Sequence, residues 1–375
     1  MRLLHTADWH LGRGLHGASL LEDQAHLLDE LVRLARDARP DLVIVAGDVF
    51  DRAVPPAEAV ELLDDTLCRL VLDLRLPTVL IAGNHDSPTR LAFGARLMEQ
   101  SRLAVLGEAR ARTVLVLDDD WGPVAVCAAP YAEPAVVRQA LACEAADHAA
   151  ALAAQIEALK PCTAPRAVLV AHLFVDGGEE CESERPLSVG GAGRVPLSHL
   201  DGFAYVALGH LHRPQCFADG RVRYAGSPFA YSFAEAGQAK SVSLVEIGRD
   251  GSALVETVSL SPRRAVRRVE GRLEALLQGP RCDDYLCVVL EDREALLEPF
   301  ARLREVYPNL LQIERPFYAP GGAANGGCRA CAERGVPELF ADFFAQVTGD
   351  EMSDDERTAF ADLFDLWRQG VREAA

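Results

Sequence analysis

The chain has 375 residues, 49% of them hydrophobic and 25% charged, with a formal net charge of −18 at pH 7. This is the make-up of an ordinary globular protein, with apolar surface enough for one large domain and a smaller one. The acidic excess argues against unaided binding of a polyanion, so nucleic acid would have to be held through metal cations, a local basic patch or a partner subunit. No stretch approaches the apolar length that spans a bilayer. The opening MRLLHTADWHLGR meets a histidine and an aspartate too early for a secretory leader, so cytoplasmic residence is the expectation. Ten scattered cysteines do not form a disulfide framework. Cys328 and Cys331 make a lone CxxC without a second pair, which reads as a reduced loop.

Taken in chain order, apolar runs predict strands at 2–4, 41–48, 77–86, 124–130, 166–172, 203–210 and 240–248. Helical patterns fall at 20–37, 56–74 and 89–101, and an alanine-rich helix at 134–160. Most of the strands are almost continuously apolar, as strands covered on both faces must be. A composition break at SPRRAVRR (261–268) precedes a compact α/β unit that ends near Pro316. A Gly/Ala-rich linker follows, and then two amphipathic helices. Leu339, Phe340, Phe343, Phe344 and Val347 share one face of the first, and Phe360, Leu363, Phe364 and Trp367 one face of the second. Ser353 and Glu356 match a capping box. The expected units are 1–260, 261–317, 318–335 as linker and 336–375 as helical tail.

The chemistry gathers at strand ends. Asp8 and His10 follow the first strand, Asp48 the second, and Asn84, His85 and Asp86 the third. His172 closes a later strand, and His210 and His212 sit in GHLH after another. In open α/β sheets ligands collect beyond the carboxyl ends of strands, so residues far apart in sequence converge there. Oxygen and imidazole donors without thiolate suit Mn²⁺, Fe or Zn²⁺. There are too many donors for one ion, whereas two ions sharing a carboxylate, about 3.5–4 Å apart, have the geometry of phosphoester hydrolysis. His85, next to Asn84, is splayed from the ions and suits protonation of a leaving alkoxide, with Asp86 orienting its ring.

The ordered set of DxH, GDxxDR, GNHD, a lone histidine and GHxH resembles the calcineurin-like metallophosphoesterase family over about residues 1–235. Within it, LGHLHRPQ and RYAGSPFAYSFAEAG (223–237) resemble the SbcD-type nuclease subunits of bacterial SbcCD complexes. The resemblance implies a four-layer α/β sandwich with a small α/β cap domain and C-terminal helices. Asp8, His10, Asp48 and His212 would hold one Mn²⁺; Asp48, Asn84, His172 and His210 would hold the second; and His85 would be catalytic. It further implies 3′→5′ exonuclease action on duplex DNA, endonuclease action on single strands and hairpins, and a role in DNA repair, recombination and replication. An SbcC-type ATPase partner and a homodimer within a heterotetramer belong to the same implication. Many relatives outside the bacteria carry a histidine where this chain has Asp51, so no second catalytic imidazole is assigned there. Two other readings stand beside this one: a nucleotide or phosphoprotein phosphoesterase on the same fold, and a metal-free protein-binding scaffold.

Overall fold

The computed structural model describes residues 1–159, 166–184, 187, 193–318, 336–348 and 351–373. Cys328, Cys331 and almost all of the expected linker lie outside them. The chain divides into two units, Met1–Arg267 and Arg268–Ala375. Among the described residues no helix is long and apolar enough to cross a membrane.

Runs such as LVIV (Leu42–Val45), TVLI (Thr78–Ile81) and VLVAH (Val168–His172) are rich in branched side chains and buried along their whole length. They sit inside two six-stranded sheets. The first sheet runs Ala253–Ser259, Ser241–Ile247, Arg2–Thr6, Leu42–Val45, Thr78–Ile81, Leu103–Leu106. Its last four strands are parallel, and antiparallel pairings join the other two. The second sheet runs Gln215–Phe217, Val222–Tyr224, Tyr205–Gly209, Val168–His172, Gly122–Ala129, Arg112–Asp119. Its middle is parallel and each edge is an antiparallel pair.

Alternation along each strand assigns the faces. Leu3, Leu42, Ile44, Val79 and Ile81 of the first sheet share one core with Val126, Val168, Val170 and Tyr205 of the second, so the sheets stack. His5 joins them inside that core: its Nδ1 lies 2.9 Å from Tyr205 Oη and its Nε2 3.2 Å from the Leu208 carbonyl. Leu169, Ala171, Val206 and Leu208 point outward onto Leu152 of the helix His148–Glu157. Beyond the first sheet, the helix Leu21–Ala38 buries Leu27, Leu28, Leu31 and Val32, each worth roughly 1.5–3 kcal/mol relative to exposure. Glu22 and Asp23 in its first turn and Arg36 in its last suit its dipole, and Arg39, left-handed at φ 48°, ends it. The result is an α/β sandwich.

Two sequence expectations need correction. The helix expected at 89–101 is two single turns, Pro88–Leu91 and Ala95–Met98, divided at Gly94, whose φ is 72°. The long helix expected at 134–160 is two, Pro134–Leu141 and His148–Glu157. Ala142, left-handed at φ 51°, stops the first, and the Asp147 side chain caps the second by accepting from Ala150 N. The C-terminal unit has a helix Pro299–Val306, which begins after Glu298 at φ 44°.

That second unit carries a three-stranded sheet, Val266–Gly271, Tyr285–Leu290 and Leu310–Glu314, whose first strand contains the division between the units. Leu273, Leu276, Leu286, Val288, Leu303 and Tyr307 form its core. The helices Val336–Thr348 and Asp354–Glu373 meet through Phe340 and Phe360, stacked at 3.8 Å. The capping box is formed: Ser353 N donates to Glu356 Oε2 at 2.8 Å and Glu356 N to Ser353 Oγ at 3.4 Å. Phe343 and Leu363 remain exposed; the side chains of Val347 and Trp367 lie outside the described set.

Candidate metal centre

The segments that leave the parallel strands meet where the two sheets abut. Three glycines make this possible by letting backbones approach more closely than a Cβ allows. A Cβ on Gly83 would stand 2.1 Å from Asp48 Oδ1, and one on Gly209 would stand 1.9 Å from the Ala46 carbonyl. Gly47, at φ +92°, faces the His172 ring. Four neighbouring residues with side chains adopt positive φ: Asp8 at 54°, His10 at 45°, Asp48 at 48° and His210 at 113°. Such backbone is uncommon for residues with a Cβ and concentrates at functional sites.

All seven residues expected as ligands come together here. His10 Nε2 lies 3.0 Å from His212 Nε2 and 3.6 Å from Asp48 Oδ2. The same Asp48 oxygen lies 3.5 Å from His172 Nε2. His172 Nε2 is 2.9 Å from Asn84 Oδ1, which is itself 3.2 Å from His210 Nδ1. Asp8 accepts from His210 N at 2.9 and 3.1 Å through its two oxygens. Donor atoms of Asp8, His10 and Asp48 form one group compact enough for an ion; those of Asp48, His172 and His210 form another. Asp48 Oδ2 therefore stands between a His10 side and a His172 side.

The donors fit a pair of divalent cations. Atoms about 2.1 Å from one ion stand roughly 3–3.5 Å apart, close to the separations from Asp48 Oδ2 and poor for hydrogen bonds. His172 Nδ1 lies 3.0 Å from the Ala46 carbonyl, which can only accept, so its Nε2 carries a lone pair facing a carboxylate. His10 Nδ1 and His210 Nε2 are buried without a hydrogen-bond partner. Burial, and secondarily Asp48, push Asp8 well above the carboxylate range. Burial holds His10, His172, His210 and His212 below the usual imidazole range. Neutral imidazoles beside crowded carboxylates are what a cation needs and what a cation would relieve.

His85 has a different setting. Its backbone N donates to Asp48 Oδ1 at 2.9 Å, and its Nδ1 lies 2.8 Å from the Asp51 carbonyl. That contact engages Nδ1 and leaves Nε2 as the other ring nitrogen. The orienting role expected of Asp86 falls instead to that Asp51 carbonyl. Asp86 braces the loops: it accepts from Val49 N at 3.1 Å, Phe50 N at 2.9 Å and Gly83 N at 2.9 Å. Burial, followed by Asp48, raises it to about 7. The Asp51 carboxylate lies 3.8 Å from His10 Nδ1 and 3.4 Å from Arg13 Nη1. Asp51, His10 and His85 make a third cation-sized group.

Several supporting residues escaped the sequence reading. Gln24 donates to the carbonyls of Trp9 at 3.1 Å and His10 at 2.8 Å, and accepts from Gly12 N at 3.0 Å. Nothing in its helical surroundings marks it. Glu184 accepts from His212 N at 2.6 Å. Glu235, 3.3 Å from His212 Nδ1, did have a signal, since it is the glutamate of the SFAE stretch singled out above. A cleft of about 780 Å³ opens beside the cluster, lined by Asn84, Arg110, Tyr131 and Val136 among others.

Residues 1–125 match the calcineurin-like phosphoesterase family, and residues 262–348 match the SbcD_C family, described as the type 5 capsule protein repressor C-terminal domain. These matches support the calcineurin-like metallophosphoesterase family for the chain. The class they indicate is a metal-dependent phosphoesterase. Similar solved structures include a Thermus thermophilus protein, 14% identical over 68% of this chain and 98% of that one, with a TM-score of 0.40. A dimetal phosphatase from Danio rerio is 14% identical over 68% and 98%, with a TM-score of 0.35. YfcE, a phosphoesterase from E. coli, is 15% identical over 70% and 100%, with a TM-score of 0.28.

Proposed function

We propose that this chain is the nuclease subunit of an SbcCD-type complex, hydrolysing DNA phosphodiesters with two Mn²⁺ ions. Asp8, His10, Asp48 and His212 would hold one ion; Asp48, Asn84, His172 and His210 would hold the other. The observation that carries this reading is Asp48 Oδ2, set 3.6 Å from His10 Nε2 and 3.5 Å from His172 Nε2 as a shared carboxylate would be. The match of residues 262–348 to SbcD_C supports the nuclease branch over a generic phosphatase. Duplex 3′→5′ exonuclease and single-strand or hairpin endonuclease activities, a homodimer and an SbcC-type ATPase partner complete the reading. Residues 1–260 form its nuclease domain, 261–317 a cap and 336–375 the partner-binding segment.

When bound, the ions supply Lewis acidity toward phosphoryl oxygens and a water acidic enough to act at neutral pH. The protein's own groups do the rest. Ala46, through its carbonyl, holds the His172 ring with Nε2 free to ligate. The Asp51 carbonyl and the bond from His85 N to Asp48 fix His85 at the edge of the cluster. His85 Nε2 then delivers a proton to the departing alkoxide. In a chain of charge −18 the cations and the partner also supply the positive potential that DNA needs.

The test is cleavage of linear duplex DNA with Mn²⁺, with chelator, and with His85→Ala. Cleavage is expected to vanish with chelator and to fall about 10²–10⁴-fold in His85→Ala, while that variant keeps its full Mn²⁺ complement. Loss of the ions from His85→Ala would make it a ligand and overturn the division of roles. The acidic net charge favours a second reading, a nucleotide or phosphoprotein phosphoesterase on the same fold. Turnover of mononucleotides with none of duplex DNA would establish that reading instead.

A further inference from the structure

The cation reading leaves unexplained a buried ion pair behind His212. Glu235 and Lys240 are both buried, with side-chain exposures of 0% and 5%, and their charged ends are in direct contact. Burying an ion pair costs desolvation that attraction barely repays, so such a pair is poor evidence for stability and better evidence for fixing an arrangement. What it surrounds is one histidine. Lys240 Nζ donates to the His212 carbonyl at 3.0 Å and to Ser227 Oγ at 3.0 Å. Glu235 Oε1 accepts from Ser183 Oγ and from Tyr231 N at 3.1 Å, and lies 3.3 Å from His212 Nδ1. Ser183 Oγ is 2.8 Å from the same Nδ1. With its own proton on Glu235, Ser183 can only accept from His212, so Nδ1 carries the ring proton. His212 Nε2 is left with a lone pair, 3.0 Å from His10 Nε2.

Composition adds a second argument. The chain has 38 lysines and arginines, and only two of them, Lys160 and Lys240, are lysine. A sequence that uses arginine nearly everywhere keeps an ammonium at 240, where one compact charge must reach Glu235, Ser227 and a main-chain carbonyl together. The wide planar fork of a guanidinium does not fit that convergence.

We propose that the Glu235–Lys240 pair, acting through Ser183, is a positioning device for one of the two cation sites. It locks His212 in the tautomer and orientation that ligate, and leaves the His172 side untouched. This rests on the two-cation reading. Partners of metal-ligating histidines set ring orientation, and their loss costs about 10–100-fold in metal affinity.

The experiment titrates Mn²⁺ into the metal-stripped full-length chain and follows free Mn²⁺ by electron paramagnetic resonance, with circular dichroism as the control for folding. Wild type is expected to bind two ions, and His212→Ala identifies the site that depends on that ring. Glu235→Gln and Lys240→Met are each expected to weaken that same site about 10–100-fold and to leave the other within about twofold. Ser183→Ala, a neutral change at the rim of the cluster, is expected to weaken the same site and carries the test where a charge change unfolds the chain. Two ions bound at unchanged affinity in the variants, or equal weakening of both sites, would overturn the positioning role alone. A wild-type chain that binds no Mn²⁺ would overturn the cation reading itself.

Discussion

Asp86 shows how a residue can be legible in type and misplaced in role. GNHD put a carboxylate beside His85, and adjacency along the chain made ring orientation its natural task. In the structure successive side chains diverge, and Asp86 turns to three backbone N–H groups that no other element satisfies. Removing this buried acceptor strands three backbone donors, so Asp86→Ala is expected to cost about 3 kcal/mol or more, measured by denaturant unfolding of the metal-free chain. Its carboxyl is raised to about 7 by burial and then by Asp48. A raised carboxyl stabilises the fold below its unfolded value near 4, and this contribution is lost as pH rises through about 7. Asp86→Asn, which cannot titrate, is expected to flatten the stability profile of the metal-free chain between those limits. An unchanged slope would refute that assignment.

At the scale of elements, strand ends were readable because hydrophobic runs stop where polar ligands begin. Each of Thr6, Val45, Ile81, His172 and Gly209 is the last residue of its strand. The broken helices were not readable: Gly94 and Ala142 turn left-handed inside sequences of good helical periodicity, and no residue type forces Ala142 to do so. Gly83 shows why the loops after the strands are built as they are. Its missing Cβ makes room for Asp48, the carboxylate between the two donor groups. Gly83→Ala is expected to displace Asp48, weaken Mn²⁺ binding at both proposed sites about tenfold or more, and cost about 1–3 kcal/mol through overpacking. Gly202→Ala is the control: its Cβ meets nothing within 4 Å, so only the strain of φ +91° applies. That strain is about 1 kcal/mol, and Mn²⁺ binding is expected to be unchanged. Mn²⁺ titration beside thermal unfolding separates the two.

Across the whole molecule, the buried cluster is expected to couple cation binding to pH. Burial lowers the pKa of His10, His172, His210 and His212, so these rings contribute stability above about 6.5 that is lost as pH falls. Burial and Asp48 raise Asp8, so a cation competes with its proton over a wider pH range than at an ordinary carboxylate. Both effects oppose metal binding in acid. Thermal unfolding at one fixed Mn²⁺ concentration is therefore expected to show a larger rise in Tm at pH 8 than at pH 6. A free cation at 100 times its Kd would contribute about 2.7 kcal/mol. An equal rise at both pH values would mean that no proton is displaced. The sequence by itself determined which donor types the chain carries, their order, and their place at the ends of buried strands, because local hydrophobic patterning encodes all three. Only the tertiary structure decided that one Asp48 oxygen stands between His10 and His172, that the Asp51 carbonyl holds His85, and that Glu235 and Lys240 enclose His212. Those relations join groups on different strands and loops, His10 to His212 across 202 residues. No periodicity along a chain can express a contact made only when two sheets close on each other.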